Sequence, residues 1–309
     1  MPLRDLFIPR PDPQSLSEGR VVWITGASSG IGRAVALACA ARGDRLVLSS
    51  RAEEVLDDVR ALCEEAGAAA VLLAPLDIRD DAAVQAVADR AVATFGRLDV
   101  VVQNAGVVAY GRVEEVPLEV FDGVIATNVL GAARVCRAAI RVFRKQEHGT
   151  LVVVSSLLGK VAVPWMGAYV TSKFALQGLV RVMQQENRDL RDVKVTAVLP
   201  GGVDTPIYDQ AATVMGQRNR PPSPVVSPED VAAKVLHAVE APHRHLSAGW
   251  GNPFMLAGFT FFPAVFDAAV GPALKLIGFT RRTRPNGSGN VLHAQPELER
   301  LRQDRGRKR

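Results

Sequence analysis

The chain has 309 residues and a formal net charge of +5, and 48% of its residues are hydrophobic and 22% charged. This composition excludes a fibrous or intrinsically disordered chain, and the length predicts one α/β domain with extensions, or at most two domains. The charge is uneven: residues 281–309 hold nine Arg or Lys against three Asp or Glu, a net +6, whereas the preceding 280 residues carry −1. We expect a basic, flexible tail, in which no motif indicates nucleic acid as a partner.

Residues 1–19 contain charged residues and four prolines but no apolar core segment. They therefore predict a surface arm or a subunit contact rather than a signal peptide. The three cysteines, Cys39, Cys63 and Cys136, lie in predicted helices without metal-ligand spacing. We interpret them as small buried hydrophobes of a reducing, cytoplasmic compartment, and we predict no metal site.

The first predicted elements enclose a glycine-rich turn. An apolar strand, residues 21–24, precedes the segment Thr25-Gly-Ala-Ser-Ser-Gly-Ile-Gly32, and a helical pattern follows over residues 33–42. Glycines at such a turn let the backbone approach a pyrophosphate, and the helix N-terminus supplies free N–H groups and a positive dipole end. The order strand, turn and helix predicts a dinucleotide site. Its residues are Gly26, Ser28, Ser29, Gly30, Ile31 and Gly32.

The second predicted strand, residues 45–49, ends in Ser50-Arg51. An NAD site usually has an acidic side chain here for the ribose 2′-hydroxyl, whereas an arginine accommodates a 2′-phosphate. The pair therefore favours NADP(H), although NAD(H) stays an alternative. Arg51 could instead be a solvated residue that caps the next helix. Glu53 and Glu54 are interpreted as first-turn residues that complement the helix dipole.

Two further strand ends contain candidate cofactor residues. A strand over 70–74 is followed by Asp77, which could accept a hydrogen bond from adenine or cap the helix near Arg79. A strand over 98–102 leads into Asn104-Ala105-Gly106, where small residues would let the chain pass close to a cofactor. A plain turn is the alternative for this segment.

Tyr169 and Lys173 are spaced i and i+4, so a helix would place them on the same face. A nearby ammonium favours the phenolate and lowers the pKa of a phenol, which can then exchange a proton with a substrate oxygen. Ser156 follows the apolar run 151–154, a predicted buried strand, and its hydroxyl could bond a carbonyl oxygen. The alternative is that Tyr169 and Lys173 have no catalytic role and simply lie on a solvated face of the helix.

Together these motifs resemble the short-chain dehydrogenase/reductase family, in its single-domain branch. The resemblance runs from about residue 21 to about residue 241 and includes further matches at Asn128, Pro200, Gly201 and Thr205. Strands alternate with helical patterns about seven times, which predicts a doubly wound parallel sheet, the α/β Rossmann fold. Gln103 stands where the family often has asparagine, and Ser29 replaces a basic residue of some NADP enzymes, so that Arg51 is the main 2′-phosphate candidate.

The resemblance implies an oxidoreductase that interconverts a ketone or aldehyde and an alcohol. Tyr169 would be the acid in reduction and the base in oxidation, while Lys173 would lower its pKa and bond the nicotinamide ribose. Ser156 would hold the substrate oxygen, and Asn128 would anchor a proton-relay water or satisfy a helix kink. The alternative is a cofactor-binding regulator or scaffold without turnover.

The resemblance also assigns residues around the nicotinamide and between subunits. The backbone at Pro200, Gly201 and Val203 would run close to the nicotinamide ring, and Thr205 would hydrogen-bond its carboxamide or a phosphate. Homodimers or homotetramers would form through two long helices, about residues 118–146 and 167–189.

An apolar extension, residues 251–280, follows a predicted seventh strand over 245–249. It contains six phenylalanines, at positions 254, 259, 261, 262, 266 and 279. We favour two short helices that cover the substrate cleft or a partner subunit. A peripheral membrane contact through residues 254–284 is a second interpretation, and a membrane-spanning helix, weakened by Pro263 and Asp267, is the third.

Apolar segments also surround the predicted substrate site. The candidate walls are residues 107–110, 157–158 and 163–166, and residues 206–226 form a candidate lid. Apolar walls predict a lipophilic carbonyl or alcohol as the substrate. The predicted organisation is an arm (1–19), a catalytic domain (20–250), the apolar extension (251–280) and the basic tail (281–309).

Overall fold

A seven-stranded parallel sheet forms the centre of the computed structural model, which describes residues 19–303. Its strands are β1 (Val21–Thr25), β2 (Arg45–Ser49), β3 (Ala70–Leu73), β4 (Val100–Gln103), β5 (His148–Val154), β6 (Asp192–Pro200) and β7 (His245–Ala248). The strand order is β7-β6-β5-β4-β1-β2-β3, and every pairing is parallel. The expected doubly wound sheet is confirmed. The predicted N-terminal arm, except Gly19, lies outside the described residues.

Helices cover both faces of this sheet. The α-helices in the described residues are α1 (Gly30–Ala40), α2 (Glu53–Glu65), α3 (Asp81–Phe95), α4 (Leu118–Ile125), α5 (Ala132–Gln146), α6 (Gly167–Glu186), α7 (Ile207–Gln210), α8 (Pro228–Glu240), α9 (Asn252–Phe261) and α10 (Pro263–Gly278). The sheet faces are covered by α1, α2 and α8 on one side and by α3, α5 and α6 on the other. Val21 and Trp23 point to the core under α3, α5 and α6, whereas Val22 and Ile24 point to the core under α1, α2 and α8. Strand side chains alternate between the faces, so both faces of a central strand must be apolar.

The winding direction of the chain reverses beside β1. From β1 the chain proceeds to β2 and β3 on one side, whereas β4 to β7 lie on the other side. Open α/β sheets bind ligands outside the carboxyl ends of the strands at this switch point, because the loops diverge there and leave a crevice. The glycine turn that follows β1 lies at this point.

A π-helical turn, Ala126–Gly131, joins α4 to α5 and makes Leu118–Gln146 one continuous helical segment. Within the described residues, this is the one helix long and apolar enough to cross a membrane by length and composition. More than half of its apolar window is buried inside the fold, as in the core helix of a globular domain. The apolar extension instead forms two shorter helices, α9 and α10, which Phe262 separates.

The segment after α10 differs from the predicted flexible tail. Phe279–Thr283 pairs antiparallel with Gln217–Asn219, and residues 284–303 then return across the carboxyl edge of the sheet. Val291 is fully buried against Val107, Val120 and Val124. This apolar cluster lies outside the central sheet, so the returning chain removes it from water.

Candidate active site

The turn after β1 brings backbone groups together more closely than side chains would allow. Gly26 and Gly30 have φ values of +66° and +48°, which L-residues rarely adopt. A Cβ on Gly32 would lie 2.0 Å from the carbonyl oxygen of Gly26. Gly32 therefore permits the close backbone contact within the turn, but it does not line the adjacent cleft. That cleft is lined by Gly26, Ser28, Ser29, Gly30 and Ile31.

The glycine-turn cleft is the cavity of about 130 Å³ that these residues form with the ends of the neighbouring strands. Its wall also contains the predicted residues Arg51, Asp77, Asn104, Ala105, Gly106 and Thr205. The Asn104 Nδ2 donates to the carbonyl oxygens of Thr25 and Gly26, at 3.2 and 3.1 Å, which fixes the end of β4 against the turn.

Arg51 points into the glycine-turn cleft instead of capping α2. Its Nη2 donates to the Asn290 carbonyl oxygen at 2.7 Å, whereas Nη1 is buried without a hydrogen-bond partner. Burial lowers the pKa of Arg51 from its usual value. A buried guanidinium N–H without an acceptor fits an anionic group in the cleft, so the donor set here suits a phosphate.

Asp77 also faces the glycine-turn cleft, but it does not cap the following helix. Both of its carboxylate oxygens accept hydrogen bonds from Arg79. The cap of α3 is Asp80, whose Oδ1 accepts from the Ala83 N–H at 3.0 Å. The capping alternative for Asp77 is therefore wrong, because α3 begins four residues after it.

Helix α6 presents Tyr169 and Lys173 toward the end of β5, where Ser156 lies. Tyr169 and Ser156 line the same cavity, and burial raises the pKa of Tyr169 to about 12 although interaction with Ser156 lowers it. The Lys173 Nζ lies 5.5 Å from the centre of the Tyr169 ring. The three side chains that sequence analysis grouped are thus brought together at the carboxyl edge of the sheet.

The pKa of the phenol is shifted opposite to the expected direction. Lys173 is 4% exposed, and burial lowers its pKa to about 8. Its Nζ donates to the Val154 carbonyl oxygen at 3.4 Å. Both groups lose hydration in apolar surroundings, and the ammonium does not offset that loss for the phenolate.

Asn128 occupies the π-helical turn and bonds to the chain after β4. Its Oδ1 accepts from the Val107 N–H at 2.8 Å, and its Nδ2 donates to the Val107 carbonyl oxygen at 2.8 Å and to Ser172 Oγ at 3.0 Å. These bonds hold the irregular helical turn against the strand end. In the described residues the partners of the Asn128 amide are Val107 and Ser172 and not the backbone of the kinked helix, so the kink-satisfying role and the water-relay role both stay predictions.

A second, apolar cavity of about 300 Å³ contains Tyr169 and Ser156 in its wall. Six residues of the predicted walls line it: Val108, Tyr110, Leu157, Leu158, Val163 and Met166. Trp165 lies outside and packs against Phe279 and Lys275. Ile207 of α7 lines both the apolar cavity and the glycine-turn cleft, so the two are neighbours.

The residues after β6 contribute less to these walls than predicted. Gly201 lines the apolar cavity, whereas Pro200 and Val203 line neither cavity. Thr205 lies in the glycine-turn cleft, beside Gly30.

The C-terminal extension contributes cavity residues that sequence analysis did not assign individually. They are Gly251 immediately before α9, Asn252 and Met255 of α9 and, on α10, Phe266, Ala269, Val270, Ala273, Leu274, Ile277 and Gly278. The α10 positions recur every three or four residues, the spacing of one helix face. This periodicity was the signal available in the sequence.

The fold and the site together define a class of protein. A parallel sheet wound on both faces has a glycine turn at its switch point, and a Ser, Tyr and Lys group lies beside an apolar cavity. This is the architecture of a dinucleotide-dependent oxidoreductase. In the described part of the chain, no group of three or more His, Cys, Asp or Glu side chains is placed to hold a metal ion.

Comparison with known proteins gives the family. A model described as short chain dehydrogenase matches residues 20–214. The chain is 33% identical over 251 residues to the uncharacterized oxidoreductase YxnA of Bacillus subtilis, covering 80% of this chain and 70% of that protein. It is 32% identical over 263 residues to dehydrogenase/reductase SDR family member 7B of Xenopus tropicalis, covering 82% of each. The chain therefore belongs to the short-chain dehydrogenase/reductase family and is an NAD(P)-dependent enzyme.

Solved structures are similar over most of their length. A short chain dehydrogenase/reductase from Burkholderia phymatum in complex with NAD has a TM-score of 0.72 at 28% identity, covering 82% of this chain and 96% of that one. An alcohol dehydrogenase from Thermococcus sibiricus complexed with 5-hydroxy-NADP has a TM-score of 0.65 at 31% identity, covering 74% and 96%. The structures thus include complexes with both types of dinucleotide.

Proposed function

We propose that this enzyme interconverts a lipophilic ketone or aldehyde and its alcohol, with NADP(H) as the preferred cofactor and Tyr169 as acid and base. The observation that carries the proposal is that Tyr169 and Ser156 lie together in the wall of the apolar cavity. Two hydroxyl groups there provide a polar end for one substrate oxygen, and the remaining wall is largely apolar.

The chain's own residues have separable tasks in this reaction. Ser156 Oγ–H donates to the carbonyl oxygen, and the Tyr169 hydroxyl transfers its proton to that oxygen in reduction and takes it back in oxidation. The ammonium of Lys173 stabilises the phenolate left by proton transfer. The glycine turn, Arg51 and Thr205 would hold the dinucleotide, which when bound supplies or accepts the hydride.

The preference for NADP(H) rests on the end of β2. Ser50 carries no charge that would repel a phosphate, and Arg51 has a buried N–H without an acceptor in the glycine-turn cleft. We expect Arg51→Ala to weaken NADPH binding by roughly 10- to 100-fold, the effect of losing a charge-assisted hydrogen bond, and to leave NADH binding nearly unchanged. Fluorescence titration of both nucleotides measures this, and equal losses for the two would refute the preference.

Tyr169→Phe tests the proposed chemistry. The variant should bind NADPH normally but reduce lipophilic ketones about 10³-fold more slowly, the range for loss of a general acid. Tyr208→Phe is a matched control, because Tyr208 lines the same cavity and is also buried. If the unmutated protein binds dinucleotide but turns over no ketone or alcohol in a broad panel, the chain is instead a cofactor-binding regulator or scaffold.

A homodimer or homotetramer through the long helices is part of the proposal. Leu130 follows α4, and Phe174 and Val182 lie on α6; these three side chains are 51%, 40% and 47% exposed. Such apolar side chains on neighbouring helices suit a subunit contact. We expect Val182→Glu to lower the oligomeric state in analytical ultracentrifugation, and an unchanged sedimentation coefficient would contradict this contact.

We also propose a peripheral membrane contact through residues 254–284 of an otherwise cytoplasmic enzyme. Phe254, Phe261, Phe262 and Val265 are each more than 60% exposed, and exposed arginines follow at 281–282. Aromatic side chains enter the lipid interface, and cations attract anionic headgroups. The double variant Phe261→Ser, Phe262→Ser should therefore float less with anionic liposomes than the unmutated protein. Equal flotation would refute the contact.

A further inference from the structure

Residues 299 and 300 of the C-terminal segment accept hydrogen bonds from donors of the glycine turn. Ser28 Oγ donates to the Glu299 carboxylate at 2.8 Å, and the Gly30 N–H donates to the Arg300 carbonyl oxygen at 2.9 Å. Arg51 donates to the Asn290 carbonyl oxygen nearby. These turn and arginine groups are the donors that a bound dinucleotide needs for its phosphates.

Glu299 is an anion inside a site built for anions. Its side chain and that of Asn290 belong to the wall of the glycine-turn cleft, together with Ser28 and Arg51. Glu299 also acts electrostatically on Arg51, as an opposite charge does. A phosphate that accepts from Ser28 would compete with the Glu299 carboxylate for that donor and be repelled by its charge, so the two cannot share this part of the cleft.

The returning chain is firmly held at its beginning and weakly held at its end. Asn290 and Val291 are buried, and the Asn290 N–H donates to the Gln210 carbonyl oxygen at 2.8 Å. Arg302 bonds both carboxylate oxygens of Glu229 at 2.8 Å, but both side chains are 48% exposed. Leu301 packs partly buried against the core, and Gln303 Nε2 donates to Asp209 Oδ1 at 3.2 Å and to the Asn219 carbonyl oxygen at 3.1 Å. Exposed ion pairs contribute little stability, and no residue of 295–303 is fully buried as Val291 is. Detaching residues 295–303 therefore costs less than detaching residues 284–292.

We propose that residues 295–303 form an intramolecular competitor of the cofactor, in which the Glu299 carboxylate occupies the position of the 2′-phosphate between Ser28 and Arg51. This inference rests on the proposed preference for NADP(H). The segment leaves the cleft when the dinucleotide binds. The apparent affinity for NADP(H) is therefore the intrinsic affinity multiplied by the fraction of molecules in which the cleft is open.

Two variants and one control test the competitor in the full chain. Glu299→Gln removes the charge, and truncation after Ala294 removes the segment. Glu297→Gln is the control, because Glu297 carries the same charge two residues earlier but is exposed. We expect NADPH binding to tighten about 3-fold in Glu299→Gln and about 10-fold or more in the truncated protein, with no change in the control. NADH binding should tighten less in Glu299→Gln, because NADH has no 2′-phosphate.

Two other outcomes would overturn the inference. Weaker NADPH binding in both variants would show that the segment covers bound cofactor, and unchanged binding would show that it does not reach the occupied site; either result overturns the inference. If Arg51→Ala loses NADPH while Glu299→Gln behaves as the unmutated protein, only the competitor is refuted. If no protein in the set binds a dinucleotide, the proposed function itself fails.

Limited proteolysis supplies a readout that does not depend on truncation. Trypsin cleaves after arginine, and Arg300 and Arg302 lie in the segment. We expect slow cleavage at these sites in the free protein and at least several-fold faster cleavage when NADP⁺ saturates the site. Slower cleavage with NADP⁺ would overturn the inference, because it would place the segment over the bound cofactor.

Discussion

The glycine-turn cleft and the apolar cavity lie side by side but are built in different ways. The cleft depends on close approach of backbone to backbone, as at Gly32 and Gly26, which are six residues apart. The apolar cavity depends on side chains from segments more than 100 residues apart, such as Leu158 and Val270. A local motif therefore reveals the cleft, whereas the cavity exists only after the extension packs. The two regions should also respond differently to substitution.

The largest effect is expected in the cleft, from Gly32→Ala. The added Cβ would lie 2.0 Å from the backbone oxygen of Gly26, so the turn must shift. We expect dinucleotide binding to fall at least about 100-fold, because a 1 Å displacement of positioned groups can cost that much. Titration with NADPH measures it.

Gly178→Ala is the control: that glycine is exposed on α6 with open space around it, and the change should stabilise the helix by about 0.5–1 kcal/mol. Normal binding by Gly32→Ala would refute the backbone-contact account.

Lys173→Met should separate stability from activity at the boundary between the two regions. Burial lowers the pKa of Lys173 from 10.5 to about 8, so the unfolded state binds the proton more strongly. Below pH 8 the folded protein therefore bears a penalty, which disappears as the pH rises toward 10.5. We expect Lys173→Met to stabilise the protein at pH 7 by up to about 3 kcal/mol while turnover is lost.

Denaturant unfolding at several pH values checks this expectation. The stability difference between Lys173→Met and the unmutated protein should shrink between pH 8 and 10.5. The control Lys234→Met, at an exposed position on α8, should show no comparable trend. A difference that grows with pH would contradict the assigned direction of the shift.

A smaller and more selective effect is expected in the apolar cavity, from Val270→Phe. The larger ring fills part of the cavity that Tyr169 also lines, so KM for bulky ketones should rise about 10-fold, which corresponds to roughly 1.4 kcal/mol of lost binding. NADPH binding and small-ketone turnover should hardly change. Ala268→Phe is the control, because Ala268 lies on α10 but is exposed and outside the lining. A parallel loss of NADPH affinity would mean that the two regions are not independent.

The smallest effect is expected on the outer side of α10. Leu276 is 74% exposed, and Leu276→Gln should change the free energy of unfolding by no more than about 0.5 kcal/mol. Leu274, two residues earlier, is 9% exposed and lines the cavity, and Leu274→Ala should cost about 2–3 kcal/mol. Thermal melts compare the two variants. Similar losses would show that the outer face of α10 is also covered, by a subunit or by lipid.

Local sequence predicted the parts of the site that neighbouring residues build. The turn from β1 to α1 was predicted because strand, glycines and helix follow one another, and the grouping of Tyr169 with Lys173 follows from helix geometry. The direction of the Tyr169 pKa shift was predicted wrongly. It depends on how much water the folded cavity excludes, which the spacing of two residues does not report.

The amino-acid sequence by itself determined the doubly wound sheet, the family and the residues that meet at the carboxyl edge, because periodicity and short motifs act within one element and its turn. Only the tertiary structure decided that α10 walls the cavity and that Glu299 reaches Ser28, 271 residues away along the chain. Contacts over such separations are selected by the burial of the whole apolar surface. No local pattern encodes which distant segment completes them.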